Sequence, residues 1–440
     1  RSLVGSEMCI RDRGGAFYPL DVERDTGRVV LALEDGRRLE LDFALLRGPD
    51  LATDLRGRDF TLNAMAADAD GRLLDPTGGL ADLQNRLVRA TDAAAFEDDP
   101  LRMLRGVRLV AELGLRLEAK TALWIAQRAP ALTRVAAERI RDEFLRILAA
   151  PAVADHIHML DELGLLTSIL PEAMHLKEQA QSPPHRFDVW WHTLMVIEAV
   201  EGVVAVLSGG HPRTVYTDAP QSVWADVAKA LGRFGAALAD HLGTRAGVPL
   251  LRLAALCHDL GKPLTCTEDE WGQLHFYGHE RVGARIVGER LQQLRFSRAE
   301  TEWVEGIVRA HLRPAHLAWA QERLTRRAVY RFFRDVGAGG IEVTLLALAD
   351  HLATWGPKLE PDRWGRLLEV AETLVSHYFE QREEAIAPRL LVTGKDLIAE
   401  LGMQPGPEIG RLLEALREAQ AAGDVRTREE ALALARRLVA

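Results

Sequence analysis

The segment 250–263, LLRLAALCHDLGKP, constrains the fold more than any other part of the chain. Its first eight residues are nearly all apolar, and the pattern predicts a buried helix that stops at Gly261. Because adjacent side chains on a helix diverge by about 100°, His258 and Asp259 can converge on one metal ion only at the helix end, where the backbone turns away. The segment therefore predicts a buried helix with metal-binding chemistry at its C-terminal end.

Further imidazole and carboxylate groups lie in or beside helical segments. They are His192 in VWWHTLMVIEAV, His279 in YGHERVGA, His311 in VRAHLRP and Asp350 in LLALADHLA. Such a mixed set suits Mg, Mn, Fe or Ni better than a closed structural zinc site, in which thiolates are typical. Two metals sharing these ligands would activate a water against a phosphoester. A lone histidine is more often a core or surface residue, and we expect His275 to be a bystander.

The order His, then His-Asp, then a distant Asp resembles the HD phosphohydrolase superfamily. The resemblance implies a divalent metal (Ni, Mn or Mg) bound by His192, His258, Asp259, His279, His311 and Asp350.

The front of the chain predicts a different structure. Residues 14–90 are typical of strands and turns, and GRVVLALEDGRRLELDFALL holds two β-rich runs separated by Glu34-Asp35-Gly36, a hairpin signal. From about residue 91 the pattern changes to helices. Asp99 before Pro100 fits a helix cap followed by proline at the first helical position. The run LRMLRGVRLVAELG then predicts a helix that stops at its terminal Gly114.

The rest of the chain is predicted to be helical. Residues 181–380 continue as helices with a break near 208–222, and the tail from about 389 predicts two short amphipathic helices around MQPGPEIG.

Composition agrees with a soluble globular protein: 48% of residues are hydrophobic, 27% are charged and the net charge is −9. No uninterrupted apolar run approaches the ~20 residues of a membrane span, so we expect no membrane association. Three cysteines cannot build a disulfide framework, which favours a cytoplasmic location. The opening RSLVGSEMCIRDR matches no signal peptide, and we expect residues 1–13 to be a non-native scar.

Four segments in order carry a second resemblance. They are LELDFALLRG, DLRGRDFTLNAMA, DPTGGLADLQNRLVRA, and the helical pair EDDPLRMLRGVRLVAELG and AAERIRDEFLRIL. Together with the tail, they resemble the class II tRNA nucleotidyltransferase and poly(A) polymerase family over residues 14–440. The resemblance implies tRNA, CTP and ATP as partners and Mg as the cofactor of nucleotide transfer.

The same resemblance implies roles for individual residues. Asp42 would be the third carboxylate of the Mg site, while Arg58 and Asp59 would contact triphosphate and sugar. Asn63 would support that turn. Residues of the helical segments would read the base and contact phosphate; these are Asp99, Arg102, Arg105, Glu138 and Arg139. Arg108 is a further candidate on the same helix face.

Two departures from the family pattern matter. The opening motif, Gly-Gly followed by Arg-Asp and then Asp-x-Asp on the next strand, does not occur; Arg11-Asp12 is not preceded by Gly-Gly, and no Asp-x-Asp follows it on the next strand. We therefore expect the sequence as printed to lack nucleotide-adding activity. In addition, Arg47 is followed almost at once by GPDLATDLRGRDF, where many CCA-adding members carry a longer loop. In the family this shortening goes with addition of the two cytidines alone.

These patterns together predict an α+β chain, in which a small mixed-sheet remnant of a nucleotidyltransferase palm precedes a mainly helical body with an HD domain. We expect a truncated head at 14–90, a helical neck binding RNA and nucleotide at 91–180, the HD domain at 181–380 and a helical tail at 381–440. The predicted function is CCA or CC addition to tRNA 3′ ends, with hydrolysis of 2′- and 2′,3′-cyclic phosphates. The alternatives are a poly(A) polymerase, or an HD phosphohydrolase with a non-catalytic RNA-binding front half. The sequence does not predict an oligomeric state.

Overall fold

The computed structural model describes residues 15–21, 26–33, 36–243, 247–320 and 323–439. The predicted scar at 1–13 lies outside them. Two compact units are present: the first runs to Asp98 and includes Leu115–Thr121, and the second comprises Asp99–Gly114 and the chain from Ala122 onward. Small sheets in the first unit and a mainly helical second unit confirm the predicted α+β class.

The first unit begins with a three-stranded antiparallel sheet in the order β1 (Gly15–Asp21), β2 (Thr26–Ala32) and β3 (Arg38–Phe43). Ala32 pairs with Arg38, so the two β-rich runs form the predicted hairpin, although Glu34 and Asp35 lie outside the described residues. All six residues of β3 are exposed.

Short elements complete the first unit, and these are α1 (Leu51–Arg56), a 3-10 turn (Thr61–Asn63), β4 (Ala66–Ala67), β5 (Leu73–Leu74), α2 (Gly79–Gln84), β6 (Leu87–Val88), α3 (Ala95–Asp98) and β7 (Arg116–Leu117). Strands β6 and β7 form the one parallel pairing among the described strands. The Asp75 carboxylate accepts the backbone N–H groups of Gly79 (2.8 Å) and Leu80 (2.9 Å) and so begins α2. A Cβ on Gly79 would lie 2.1 Å from the Thr61 carbonyl oxygen, which explains the need for glycine there.

The second unit is helical. Its first helices are α4 (Leu101–Leu113), α5 (Ala119–Arg128, whose first residues belong to the first unit), α6 (Ala137–Ala149), α7 (Val153–Glu162) and α8 (Leu166–Ile169). Helix α4 ends at Gly114 (φ 61°), as predicted. Pro100 stands at the N-cap rather than at the first helical position, and the Asp99 carboxylate accepts from Leu101 N at 3.2 Å.

The central helices follow, and these are α9 (Val189–Leu207), α10 (Ser222–Leu231), α11 (Gly235–Gly243), α12 (Gly247–Cys257), α13 (Lys262–Thr265), α14 (His279–Gln293), α15 (Arg298–Ala310), α16 (Arg313–Ala320), α17 (Arg326–Val336), α18 (Gly340–Trp355) and α19 (Pro361–Glu380). A small hairpin, β8 (Thr267–Glu268) with β9 (Leu274–His275), lies between α13 and α14. The break between α9 and α10 confirms the predicted interruption near 208–222.

Two apolar segments in this body match the length and composition of membrane spans among the described residues. They are Val189–Leu207 and the run 326–358, and 72% and 78% of their apolar windows are buried inside the fold. Their composition therefore fits central helices of the core, which are surrounded by other helices and so need no polar face.

The tail forms three helices rather than the two that the sequence predicts: α20 (Gly394–Leu401), α21 (Pro407–Ala422) and α22 (Arg428–Val439). Gly423, in the left-handed region (φ 84°), ends α21 and separates it from α22. The sequence prediction missed this boundary because the amphipathic pattern continues through it, and only the glycine C-cap separates the two helices. The three helices share a small core that includes Leu397, Leu416 and Leu432.

A buried ion pair joins three helices of the second unit. The Arg252 guanidinium on α12 donates to Leu148 O (2.7 Å) and Ala150 O (2.8 Å) at the end of α6, and to Glu201 Oε1 (3.0 Å) on α9. Glu201 Oε2 also accepts from Val153 N at 3.0 Å. The last carbonyls of α6, which have no partner within their own helix, are satisfied by this arginine.

Candidate functional site

The structure brings all six predicted metal-ligand residues into one cluster at the ends of helices. His192 lies in the first turn of α9, which the Asp188 side chain caps by accepting from Trp191 N at 2.8 Å. His258 and Asp259 directly follow α12. His279 is the first residue of α14, His311 directly follows α15, and Asp350 lies within α18.

Short distances connect the six side chains. His192 Nε2 lies 3.0 Å from Asp350 Oδ1 and 3.6 Å from Asp259 Oδ2. His258 Nε2 lies 3.1 Å from Asp259 Oδ2. His279 Nε2 lies 3.4 Å from Asp259 Oδ1 and 3.3 Å from His311 Nε2. The Asp259 carboxylate is therefore the centre of the cluster, with one oxygen facing each pair of histidines.

Backbone carbonyls fix the orientation of three of the imidazoles. In His258, His279 and His311, Nδ1 lies 2.7 Å from the carbonyl oxygen of the residue three positions earlier. Because a carbonyl can only accept, Nδ1 carries a proton in each ring, and Nε2 faces the cluster. This arrangement is usual for metal-binding histidines, whose second nitrogen donates to a carbonyl or carboxylate.

The residues fit a divalent metal. The Nε2 atoms of His192 and His258 and the Oδ2 atom of Asp259 are buried and have no hydrogen-bond partner of suitable geometry among the described residues. Leaving buried polar atoms unsatisfied is costly, and a cation would satisfy all three. Ligand atoms of two groups each lie within 4.8 Å of one another, His192–His258–Asp259 and Asp259–His279–His311. Asp259 belongs to both groups, so a pair of metals is possible with this carboxylate as the bridge.

Charge in the cluster favours metal binding. Burial raises the pKa of Asp259, but His258 and Lys262 outweigh it, so that the pKa lies well below its usual range. The Lys262 ammonium is 2.7 Å from Asp259 Oδ2. Burial lowers the pKa of His311 to about 3, and burial likewise lowers the pKa of His192. Burial also acts to lower the pKa of His258, but the Asp259 carboxylate outweighs it and raises that pKa, so a metal would displace a proton from this ring. An ionised carboxylate and neutral imidazoles are the forms that bind metals.

A cavity of about 960 Å³ opens over the cluster. Asp259, His279, His311 and Asp350 line it, together with cationic side chains that include Lys262. This volume is at the upper end of the range typical of small-molecule sites. The arrangement can hold an anionic substrate against the metal ligands.

His185 is a residue of this site that sequence reasoning missed. Its ring lies 4.9 Å from that of His192, and it lines the cavity. Burial lowers its pKa to about 2, and its buried Nδ1 has no hydrogen-bond partner among the described residues. The available signal was its place just before α9, in SPPHRFD. The bystander His275 lies outside both ligand groups, with Nε2 2.8 Å from Asp269 Oδ2.

Gly261 allows two ligand-bearing segments to meet. A Cβ at this position would lie 2.1 Å from the His279 carbonyl oxygen and 2.7 Å from Gly283 N. Backbone atoms on α14 cannot yield as a flexible side chain would. Glycine therefore permits the turn after His258-Asp259 to pack directly on the start of α14.

In the first unit, Asp42 is already paired. Arg28 donates from Nε to Asp42 Oδ1 (2.7 Å) and from Nη2 to Oδ2 (2.9 Å), across the β2–β3 register. The Arg28 hydrogen bond lowers the pKa of Asp42, and both side chains are exposed to solvent. A metal ion at Asp42 would have to compete with this guanidinium.

The predicted triphosphate and sugar residues form a compact turn. Asp59 is buried, and its Oδ1 accepts from Phe60 N (2.9 Å) and from the Asn63 amide (3.1 Å). Arg58 pairs with Asp54 at 2.9 Å, and Asp54 also accepts from Arg47 N at 2.9 Å. Sequence reasoning missed the buried Asp54, which positions both arginines that flank α1.

The predicted base-reading residues lie on α4 and α6. Arg139 Nη2 donates to Asp99 Oδ2 at 2.7 Å, so two predicted nucleotide-binding residues meet directly. Burial raises the pKa of Asp99, but its hydrogen bond with Arg139 outweighs this and the pKa is lowered. Arg102 is half-buried near the start of α4, and Arg105 is exposed one turn later.

Two other charged residues of this region have different surroundings. Arg108 is buried and pairs with Glu143 at 3.0 Å, which joins α4 to α6 and leaves little of its side chain for a ligand. Glu138 is exposed, with its carboxylate 3.8 Å from Arg295 Nε.

Family models match four parts of the chain. "Poly A polymerase head domain" matches residues 22–89, "Probable RNA and SrmB- binding site of polymerase A" 114–176, "HD domain" 228–355 and "tRNA nucleotidyltransferase domain 2 putative" 373–435. These matches define an enzyme class that combines a poly(A) polymerase head domain with an HD domain.

Relatives that match nearly the whole chain identify the family within this class. The A-adding tRNA nucleotidyltransferase of Deinococcus radiodurans is 34% identical over 433 residues, covering 96% of this chain and 86% of that protein. The CC-adding tRNA nucleotidyltransferase of Thermus thermophilus is 34% identical over 436 residues, covering 97% and 85%. The chain belongs to the tRNA nucleotidyltransferase family of enzymes, as its sequence motifs predicted.

Solved structures share the fold. The Thermotoga maritima CCA-adding enzyme complexed with tRNA superposes with a TM-score of 0.57 at 18% identity, covering 100% of this chain and 85% of that one. The Bacillus stearothermophilus CCA-adding enzyme in complex with CTP gives 0.58 at 22% identity, covering 96% and 84%.

Proposed function

We propose that this protein adds nucleotides to the 3′ end of tRNA and, at its HD cluster, hydrolyses phosphoesters with a divalent metal. The hydrolase is supported best by one observation, the buried nitrogen and oxygen atoms of the cluster that make no hydrogen bond of suitable geometry within the described parts of the chain. Nucleotide addition is supported by the family and by the pairing of Asp99 with Arg139. We assign the head to residues 14–90, the neck to 91–180, the HD domain to 181–380 and the tail to 381–440, in a cytoplasmic protein.

In the hydrolase, His192, His258, Asp259, His279, His311 and Asp350 would hold one or two divalent ions, Ni, Mn or Mg. When bound, the metal supplies Lewis acidity and an activated water. The protein's own groups orient the reaction: the carbonyl-bonded imidazoles keep their geometry, and Lys262 places a positive charge beside Asp259 for a phosphate oxygen. We propose 2′-nucleotides and 2′,3′-cyclic nucleotides as substrates.

The test of the hydrolase uses metal-stripped protein. Ni, Mn or Mg is added back, and we measure phosphate release from adenosine 2′-phosphate, ring opening of adenosine 2′,3′-cyclic phosphate, and hydrolysis of p-nitrophenyl phosphate as a general phosphoester. At least one metal should restore activity on a nucleotide. Absence of activity with all three metals and all three substrates would rule out the hydrolase.

For nucleotide addition, we propose that Asp42, Arg58, Asp59 and Asn63 serve the triphosphate and that CTP and ATP are selected on α4 and α6. Relatives are named for CC addition and for A addition, so the added base is the open question. The short stretch between Arg47 and Asp54 favours cytidine addition, since little chain is present there to rearrange the pocket for adenosine.

The experiment supplies the family's Gly-Gly, Arg-Asp and Asp-x-Asp segment upstream of the chain, with the printed sequence as the comparison. Each protein is incubated with Mg and labelled CTP and ATP, using tRNA that lacks its 3′ end and tRNA that ends in CC. Arrest after two cytidines is expected from the extended protein. Efficient adenosine transfer to tRNA ending in CC would instead assign A addition, and failure on both tRNAs would reject nucleotide addition.

A further inference from the structure

Two strongly exposed aromatic side chains accompany the β8–β9 hairpin. Trp271 lies at its turn and is 77% exposed, and Tyr277 follows β9 and is 79% exposed. Of these two, Tyr277 lines the cavity over the metal-ligand cluster. A large apolar ring this exposed at the wall of a polar cavity needs a physical explanation.

The Tyr277 ring is held in place from one side. It stacks on the His275 ring with centroids 5.2 Å apart and planes inclined by 8°. His275 is fixed in turn by Asp269, whose Oδ2 lies 2.8 Å from Nε2 and whose Oδ1 accepts Trp271 N (3.0 Å) and Gln273 N (2.9 Å) in the hairpin turn. Tyr277 is therefore a pre-oriented ring, supported on one face and exposed to solvent.

The Tyr277 ring lies close to the metal-ligand cluster along the chain, and noncovalent contacts of the neighbouring Phe276 connect the two. Tyr277 is two residues before His279, so their Cα atoms are at most about 7 Å apart. The carbonyl oxygen of Phe276, the residue before Tyr277, accepts from His279 Nδ1 at 2.7 Å. The Lys262 ammonium lies 5.5 Å from the Phe276 ring centroid and 2.7 Å from Asp259 Oδ2.

The remaining chemistry of the cavity suits an anion that carries an aromatic group. Arg281, Arg309 and Arg313 line it together with the metal ligands. Phosphate would be drawn to the metal and cations, while a planar group attached to it would meet the open face of Tyr277. Aromatic side chains beside basic groups are how proteins bind nucleotides without reading their sequence.

We propose that Tyr277, supported by His275, is the stacking platform for the nucleobase of a nucleoside phosphate whose phosphate lies at the HD cluster. This inference rests on the proposed hydrolase and deepens it by assigning the residue that distinguishes nucleotides from other phosphoesters. Because stacking uses the π-face that every base presents, adenine, cytosine, guanine and uracil should be accepted with similar affinity.

The test compares Tyr277→Ala with Trp271→Ala, a matched control because Trp271 is equally exposed on the same hairpin but does not line the cavity. We measure the Kd of adenosine 2′-phosphate for metal-stripped protein, and KM and kcat with Mn for this nucleotide and for glycerol 2-phosphate, which has no base. Tyr277→Ala should raise Kd and KM for the nucleotide by about 10- to 100-fold. It should leave glycerol 2-phosphate kinetics within about twofold, whereas Tyr277→Trp should retain nucleotide affinity.

Three outcomes would overturn the platform: an unchanged nucleotide Kd in Tyr277→Ala, an equal loss on both substrates, or an equal effect of Trp271→Ala. The proposed hydrolase fails separately, if the unsubstituted protein cleaves no phosphoester. In that case the Kd measurement, which needs no metal and no turnover, still decides whether Tyr277 binds the base.

Discussion

The HD cluster and the proposed nucleotide-reading helices, α4 and α6, differ in how their charged groups are satisfied. In the cluster, atoms of His192, His258 and Asp259 are buried without a hydrogen bond of suitable geometry to any residue that the structure describes. On α4 and α6, Asp99 and Arg139 already pair with each other, and the Arg139 side chain is 52% exposed. Buried polar atoms that lack hydrogen bonds of suitable geometry favour a bound cation, which would offset their desolvation. Exposed groups that are paired can exchange partners with a substrate at little cost.

The largest expected effect follows from removing the central carboxylate of the cluster. Asp259→Asn keeps the shape but loses the charge that both ligand groups share. We expect hydrolysis to fall by about three powers of ten, equivalent to about 4 kcal/mol of transition-state stabilisation. Asp335→Asn is the matched control, because Asp335 also lines the cavity but pairs with Arg313 and Arg334. Activity and bound metal are measured together, and full activity in Asp259→Asn would mean that the cluster is structural.

The next effect is a loss of folding stability when the buried ion pair between Arg252 and Glu201 is broken. Glu201→Ala leaves the buried Arg252 guanidinium without its carboxylate and should lower the free energy of unfolding by about 3–5 kcal/mol. The control is Glu302→Ala, since Glu302 forms an exposed ion pair with Arg298. Chemical denaturation followed by circular dichroism gives both values. Similar losses in the two variants would contradict the distinction between buried and exposed pairs.

Metal removal should produce a smaller shift. A ligand present at 100 times its Kd stabilises the folded state by about 2.7 kcal/mol, so chelation should lower the melting temperature by several degrees. Asp259→Asn should melt at the same temperature with and without chelator. A chelator effect that persists in this variant would place the metal elsewhere.

The smallest effects are expected on the nucleotide-reading helices. Arg139→Ala should change stability by less than about 1 kcal/mol, because exposed pairs contribute little. It should nevertheless reduce the preference of the protein for CTP and ATP over UTP and GTP by about 10- to 100-fold, the usual value of a base-reading contact. Arg102→Ala should act similarly. Equilibrium binding of the four nucleotides is the measurement.

Arg146→Ala is the matched control, on the same helix and with similar exposure, paired to Glu112 at 2.8 Å. It should leave selectivity unchanged. Equal weakening of all four nucleotides in Arg139→Ala would indicate that Arg139 contacts phosphate rather than a base edge.

The sequence allowed most of the proposed ligands to be placed, because His192, His258, Asp259 and Asp350 lie at the end of, or inside, strongly apolar helices. The other two, His279 and His311, border helices with many charged residues. His258 and Asp259 could be placed at a helix end from local pattern alone. His185 could not, since it enters the site through a loop whose path depends on tertiary contacts. The Asp99–Arg139 and Arg28–Asp42 pairs were also missed, because partners 40 and 14 residues apart meet only through packing or strand register.

Gly261 makes one position of the chain an indicator of whether hydrolysis is under selection. A methyl group there would meet the His279 backbone at 2.1 Å, so every other amino acid should displace a ligand-bearing segment. In a lineage whose cells depend on the hydrolase, mutations at codon 261 would be eliminated, whereas a lineage that uses the protein for tRNA alone would accumulate them. Genetic drift at this single codon would thus report, without any assay, whether a population still needs the proposed hydrolase.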